Sequence, residues 1–146
     1  MELRHAGIVV TDLDRSLHFY RDLLGLRVSR SMEEAGAYLD NMLGLPDVRV
    51  TTVKLAAPQG AALVELLHFQ SPPTPPGPPR QVFHRGPSHL AFTVDDLEAT
   101  YTRLIRAGVP FNAPPQLSPD GLAKVTFCLD PDGTPIELVE ILEVKG

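Results

Sequence analysis

The sequence predicts an α+β protein made of two βαβββ modules, and three observations carry that prediction. The first is an internal repeat. His5-Ala6-Gly7-Ile8-Val9-Val10-Thr11-Asp12-Leu13 returns 84 positions later as His89-Leu90-Ala91-Phe92-Thr93-Val94-Asp95-Asp96-Leu97, with His over His, Asp over Asp and Leu over Leu. The second is a change of period after each copy, from the alternation of a strand to the three-and-four spacing of a helix, which ends at Gly25 or Gly108. The third is a later echo, Val64-Glu65-Leu66 against Ile136-Glu137-Leu138. Strands and helices in that order, twice, give the α+β class.

The first strand is expected over residues 3–10, with His5, Gly7 and Val9 on one face and Ala6, Ile8 and Val10 on the other. Thr11 and Asp12 are capping residues, and Leu13, Leu17, Tyr20 and Leu24 then follow at helical spacing up to Gly25, a C′ residue. A second strand is expected over 26–31. Residues 32–47 admit two readings, a short helix at 38–43 or a mobile flap. Residues 48–55 alternate as a strand, Pro58-Gln59-Gly60 turns the chain, and 62–69 returns as the next strand with Leu63, Glu65 and Leu67 on one face. Residues 70–80 are too rich in proline for a helix or a central strand, and form a linker. In the second module, 89–94 is a strand with His89, Ala91 and Thr93 on one face. Asp95 and Asp96 cap a helix carrying Leu97, Tyr101, Leu104 and Ile105, which Gly108 closes. Residues 110–119 read as irregular. Strands at 124–130 and 135–142 are joined by the turn Asp130-Pro131-Asp132-Gly133. The whole of 1–146 is thus one domain, with module one at 1–69, the linker at 70–80 and module two at 81–146.

Bulk properties exclude several classes of function. With 43% hydrophobic and 21% charged residues the composition is that of a globular protein. The net charge of −5 and the lack of a Lys/Arg cluster argue against a nucleic-acid surface. No apolar run reaches the ~20 residues that span a bilayer, and the chain enters its first strand without a secretory leader, so a cytoplasmic location away from membranes is expected. The single cysteine, Cys128, excludes an internal disulfide and reads as a small core residue. Proline is over-represented at 15 residues, against a usual share of ~5%. A proline-motif ligand for a partner domain is the functional alternative to a plain linker.

Four residues at matching points of the repeat, His5, Glu65, His89 and Glu137, interrupt apolar strand patterns. Each alone has an ordinary explanation as a satisfied polar group near a strand end. Taken together, two imidazoles and two carboxylates are a donor set for a divalent Zn, Ni, Co, Mn or Fe ion, provided that a pseudo-twofold packing brings the two modules' donors to one point. An ion accepting six ligands would keep positions open for water or substrate. His18, His68 and His84 are weaker candidates, Glu140 lies off the face of Glu137, and Arg80 and Arg85 could meet an anion or remain solvated.

The most specific segments are His5-x-x-Ile8-x-Val10-x-Asp12-Leu13 with Ser16-Leu17-x-Phe19-Tyr20 and Leu24-Gly25, then His89-Leu90-Ala91-Phe92-x-Val94, and finally Asp130-Pro131-Asp132-Gly133-x-x-Ile136-Glu137-Leu138-Val139. Over nearly its whole length the chain resembles the vicinal oxygen chelate superfamily, the glyoxalase/bleomycin resistance/dioxygenase group. That resemblance implies a glyoxalase-like fold, in which two βαβββ modules form a curled mixed β-sheet around a metal-centred cup. It also implies chelation of an oxygenated substrate, with stabilisation of a developing enolate or oxyanion. Lactoylglutathione lyases and methylmalonyl-CoA epimerases use four protein ligands, which here correspond to His5, Glu65, His89 and Glu137. Extradiol dioxygenases and fosfomycin-modifying transferases use three, corresponding to His5, His89 and Glu137. Bleomycin-sequestering members lack them.

Keeping all four donors points to a metal-dependent lyase or isomerase acting on a small oxygenated metabolite, possible forms including thiol and thioester conjugates. One divalent ion per site (Zn, Ni, Co or Mn) is expected, with Glu137 as catalytic base and Glu65 second, and a homodimer as the assembly. The alternatives are an Fe(II) ring-cleaving dioxygenase and a non-enzymatic protein that sequesters an antibiotic or metabolite. No glutathione contact of the lyases can be matched to the stretch between the modules.

Overall fold

The computed structural model describes residues 1–142, with Ala62 described by its backbone alone. The last four residues assigned to module two in the sequence therefore lie outside the described residues. The chain divides into two compact units, Met1–Gly77 and Pro78–Gly146. Each described unit carries one four-stranded mixed sheet, and few helices accompany the sheets.

In the first unit, β1 (Ala6–Val9), β2 (Arg27–Ala35), β3 (Arg49–Ala56) and β4 (Ala62–Ser71) lie in the order β1-β4-β3-β2. β1 runs parallel to β4, and the other neighbours are antiparallel. Asp12 starts α1 (Leu13–Leu17) by accepting a hydrogen bond from the Arg15 N–H at 3.0 Å. The helix widens into a π-helical turn at His18–Leu23, which buries Phe19 and Tyr20. One sheet face carries Val10, Val53, Leu55, Val64 and Leu66, all buried. On the other face α2 (Ala37–Leu43) lays Leu39 against Val48 and Val50, with Leu67 and Phe69 packed alongside. Of the two readings of residues 32–47, the helix is therefore the observed one. It is tied down by Asp40, whose carboxylate accepts from the Asp47 and Val48 N–H groups at 3.1 and 2.8 Å.

The second unit repeats the order with β5 (Leu90–Thr93), β6 (Gln116–Leu117), β7 (Ala123–Leu129) and β8 (Pro135–Ile141), arranged β5-β8-β7-β6. Asp96 caps α3 (Leu97–Arg106) through the Ala99 N–H at 2.9 Å, the role Asp12 has in the first unit. Gly108 closes the helix at φ +83°, with its N–H on the Ile105 carbonyl and the Val109 N–H on the Leu104 carbonyl. Leu97 and Leu104 are fully buried, whereas Ile105, placed on the same stripe by its spacing, is 44% exposed.

Several boundaries differ from the sequence reading. β1 and β5 are shorter than expected and begin at Ala6 and Leu90, so His5 and His89 precede their strands instead of lying on them. β2 continues to Ala35, because its pairing with β3 extends to Ala35↔Arg49 although the sequence there turns polar. β4 runs on to Ser71, two residues into the stretch read as linker, since Ser71 still pairs with Arg49. Gln116–Leu117, within the stretch read as irregular, is the short edge strand β6; two residues between prolines leave no periodicity to detect.

Candidate functional site

The four candidate residues occupy equivalent places in the two units. His5 and His89 each stand one residue before a strand, β1 or β5. Glu65 is the register partner of Gly7, and Glu137 that of Ala91. The parallel pairing of first and last strands thus brings each module's His beside its own Glu. The structure also corrects the face. Glu65 alternates with buried Val64 and Leu66 while Leu63 is 57% exposed, and Glu137 alternates with buried Ile136 and Leu138. The carboxylates therefore lie on the sheet face opposite to those buried residues, rather than interrupting the main apolar face.

In the first unit His5 Nε2 lies 3.6 Å from Glu65 Oε1, and Lys54 Nζ lies 3.9 Å from Glu65 Oε2. Register explains the second contact, since Lys54 of β3 is directly opposite Glu65, and Arg30 of β2 is directly opposite Lys54. One row across the sheet therefore reads Gly7, Glu65, Lys54, Arg30. Gly7 suits its place because a Cβ there would come within 3.1 Å of Leu67 Cδ1.

In the second unit His89 Nε2 lies 3.0 Å from Glu137 Oε2. The corresponding row has Ala91, Glu137 and Phe127, so an aromatic ring stands where the first unit has Lys54. Phe127 packs edge-to-face on the His89 ring with centroids 5.1 Å apart. The β7–β8 turn holds this register. Asp130 is buried, and its Oδ1 accepts from the Asp132 and Thr134 N–H groups at 2.9 and 2.7 Å.

The hydrogen bonds behind His89 assign its tautomer. Ser88 Oγ donates to the Val82 carbonyl at 2.7 Å, which uses the only hydroxyl proton. Ser88 Oγ, 3.0 Å from His89 Nδ1, is then an acceptor, and Nδ1 carries the proton. A neutral imidazole in that tautomer turns the lone pair of Nε2 toward the Glu137 carboxylate. Either a proton on Nε2 or a metal ion between the two groups satisfies that 3.0 Å contact.

The donor geometry suits a divalent ion. Donors bound at ~2.1 Å to one ion lie ~3.0 Å apart at a right angle and ~3.4 Å apart at the tetrahedral angle. Each His–Glu pair, at 3.6 and 3.0 Å, is close to the spacing of adjacent positions on one ion. Among the described residues no group of three or more His, Cys, Asp or Glu that could hold a metal ion is gathered; each unit brings together one His–Glu pair.

The remaining candidates have structural roles. His18 is exposed and meets Asp22 at 3.3 Å, while Arg21 and His18 hold the Asp22 carboxyl below its ordinary range, Arg21 contributing most. His68 pairs with Thr51 and lies 3.4 Å from Gln70 Nε2. His84 Nδ1 accepts from the Gln81 N–H. Glu140 accepts from the Leu97 N–H at 2.8 Å, fastening the start of α3 to β8. Arg80 donates to the Arg85 carbonyl. Cys128 is fully buried, and burial, with the Asp130 carboxylate adding to it, pushes its thiol up to about 12. Sequence reasoning missed Ser88, Lys54, Arg30 and Phe127. A Ser immediately before the second His was a legible signal, but the other three act through cross-strand register.

Comparison with known proteins gives a consistent result. The family model for the Glyoxalase/Bleomycin resistance protein/Dioxygenase superfamily matches residues 2–138. The protein YaeR of Escherichia coli is 32% identical over 95% of this chain and 95% of its own length. A lactoylglutathione lyase of Haemophilus influenzae is 30% identical over 100% of this chain and 97% of its own length. A crystal structure of a glyoxalase family protein from Bacillus cereus has the same fold, with a TM-score of 0.88 over 98% of this chain and 95% of that one, at 23% identity.

Proposed function

Because the chain belongs to the Glyoxalase/Bleomycin resistance protein/Dioxygenase superfamily, we propose that it is a metal-dependent, glyoxalase-like lyase or isomerase of a small oxygenated metabolite. Several full-length relatives carry the name lactoylglutathione lyase, which supports an enzyme of the lyase or isomerase type. In this proposal His5, Glu65, His89 and Glu137 hold one divalent ion, within one chain or across a homodimer. The observation that carries it is the His89–Glu137 pair at 3.0 Å, in which Nδ1 carries a proton and Nε2 faces the carboxylate, as a neutral ligating imidazole would.

An ion at these donors would act as a Lewis acid, polarising a carbonyl or hydroxyl oxygen of the substrate and acidifying the adjacent C–H. Glu137 is the proposed base. Its Oε2 faces His89, while Oε1 has no partner among the described residues and can take the proton and return it to a neighbouring carbon or the opposite face. Glu65 stands second, because His5 and Lys54 flank its two oxygens. Phe127 limits rotation of the His89 ring by packing on it.

The Lys54–Glu65 contact favours one other reading. With Glu65 serving only as the counter-ion of Lys54, the donors reduce to His5, His89 and Glu137, the set expected of an Fe(II) ring-cleaving dioxygenase. Elemental analysis of the purified chain beside Glu65→Ala separates the two. The four-donor proposal expects about one Zn, Ni, Co or Mn per chain, lost in the variant. Iron in both proteins, with catechol cleavage, would establish the three-donor reading. No metal in either would overturn both and leave a sequestering protein.

A further inference from the structure

We propose that Arg30 and Lys54 form a binding site for an oxyanion, carboxylate or phosphate, carried by the substrate within a few bonds of its reacting oxygen. The inference deepens the proposed function and rests on it for the placement of the reacting oxygen. The charge row on the first unit's sheet carries it. Arg30 and Lys54 are direct cross-strand partners on antiparallel strands, so their side chains leave the same face, and like charges in that relation destabilise a sheet. The pairing register shifts between Val28 and Arg30, and it is past that irregularity that the guanidinium residue comes opposite Lys54.

Counter-charge in this row is short. Among the described residues, Glu65 is the only carboxylate in ion-pair reach of Lys54, and Arg30 has none. Glu34, farther along the same face of β2, already accepts from Thr52 Oγ1 at 3.0 Å. Of the two cations only Lys54 reaches Glu65, and His5 stands at that carboxylate's other oxygen. A divalent ion drawing on Glu65 would leave Lys54, like Arg30, without an anion. Lys54 is also only 27% exposed, so water compensates its charge incompletely. A lysine and an arginine in register on one sheet face are residue types suited to carboxylate or phosphate oxygens. The second unit has Phe127 in place of Lys54, so this charge is a feature of one module rather than of the repeat.

The position of the cations limits the ligand. Lys54 Nζ is 3.9 Å from an oxygen of Glu65, which places the anionic group beside the proposed donors rather than at the far end of a long conjugate. Small 2-oxo or 2-hydroxy acids, and phosphates of comparable size, are the substrate class this selects.

The test is calorimetric titration of the full chain with glycolate, with its neutral amide glycolamide and with inorganic phosphate, each on metal-loaded and metal-free protein. Wild type is compared with Lys54→Gln and Arg30→Gln, and circular dichroism checks folding. Glycolate is expected to bind the wild type and to lose about tenfold or more in Kd in each variant, while metal stoichiometry is unchanged and glycolamide discriminates between none of them. Phosphate losing affinity in the variants more than glycolate does would assign the site to phosphates. Glycolate and phosphate affinities unchanged in both folded variants would overturn the subsite. If the wild type takes up no metal, the proposed function fails, and charge-dependent binding to the metal-free chain still decides the subsite.

Discussion

Ser88 fixes a neighbour's chemistry without touching the proposed metal. By donating to the Val82 carbonyl it accepts from His89 Nδ1, and so commits Nε2 to the face shared with Glu137. A second hydrogen bond to a ligating histidine sets its orientation and basicity, and its loss typically costs 10–100-fold in metal affinity. Ser88→Ala is therefore expected to weaken binding of Zn or Ni by about that range, and Ser88→Thr, which keeps the hydroxyl, to retain it. Competition with a chromophoric chelator measures both. Equal affinity in all three proteins would remove the relay from the account.

Among the elements, α2 is the part that the sequence left most open. A helix of seven residues flanked by Gly36 and Gly44, both at positive φ, has little intrinsic stability, and packing must supply it. Leu39 is its buried anchor, on Val48 and Val50 with Leu67 alongside. Leu67 in turn is the side chain that a Cβ at Gly7 would meet, so α2 supports the same sheet face that carries Glu65. Leu39→Ala should destabilise the protein by about 2–4 kcal/mol, read as a lower urea midpoint. Unchanged stability would show that α2 contributes nothing to the cooperative unit. The helix was legible only as one of two readings because a single anchoring leucine leaves almost no period. The capped helices were plain by contrast, since Asp12 and Asp96 begin and Gly25 and Gly108 end their segments.

At the scale of the molecule, the buried thiol of Cys128 links global stability to alkaline pH. Its ordinary value of 9.0 rises to about 12 on folding, first through burial and then through Asp130. The unfolded chain therefore ionises first, so this contribution to stability is complete below pH 9 and is lost between about pH 9 and 12. The loss can reach about 1.4 kcal/mol per pH unit in that window. Cys128→Ala should unfold more readily overall but with a shallower alkaline fall, measured by denaturant titration at several pH values. Thiol reagents should leave the native wild type unmodified, since the reactive thiolate is absent.

The repeat, the capped helices, the turn at Asp130-Pro131-Asp132-Gly133 and the identity of the two His–Glu pairs were determined by the sequence itself, because each is written in local order: a period, a cap, a glycine, a fixed offset. Tertiary structure decided which sheet face the carboxylates occupy, that Lys54 rather than an apolar residue stands opposite Glu65, and that Arg30 stands opposite Lys54. It also decided that Ser88 directs His89. These are consequences of register, and register is set by pairing between strands distant in sequence. A shift of one residue reverses the face of every side chain on a strand, so the local pattern that announces a strand does not announce its neighbours.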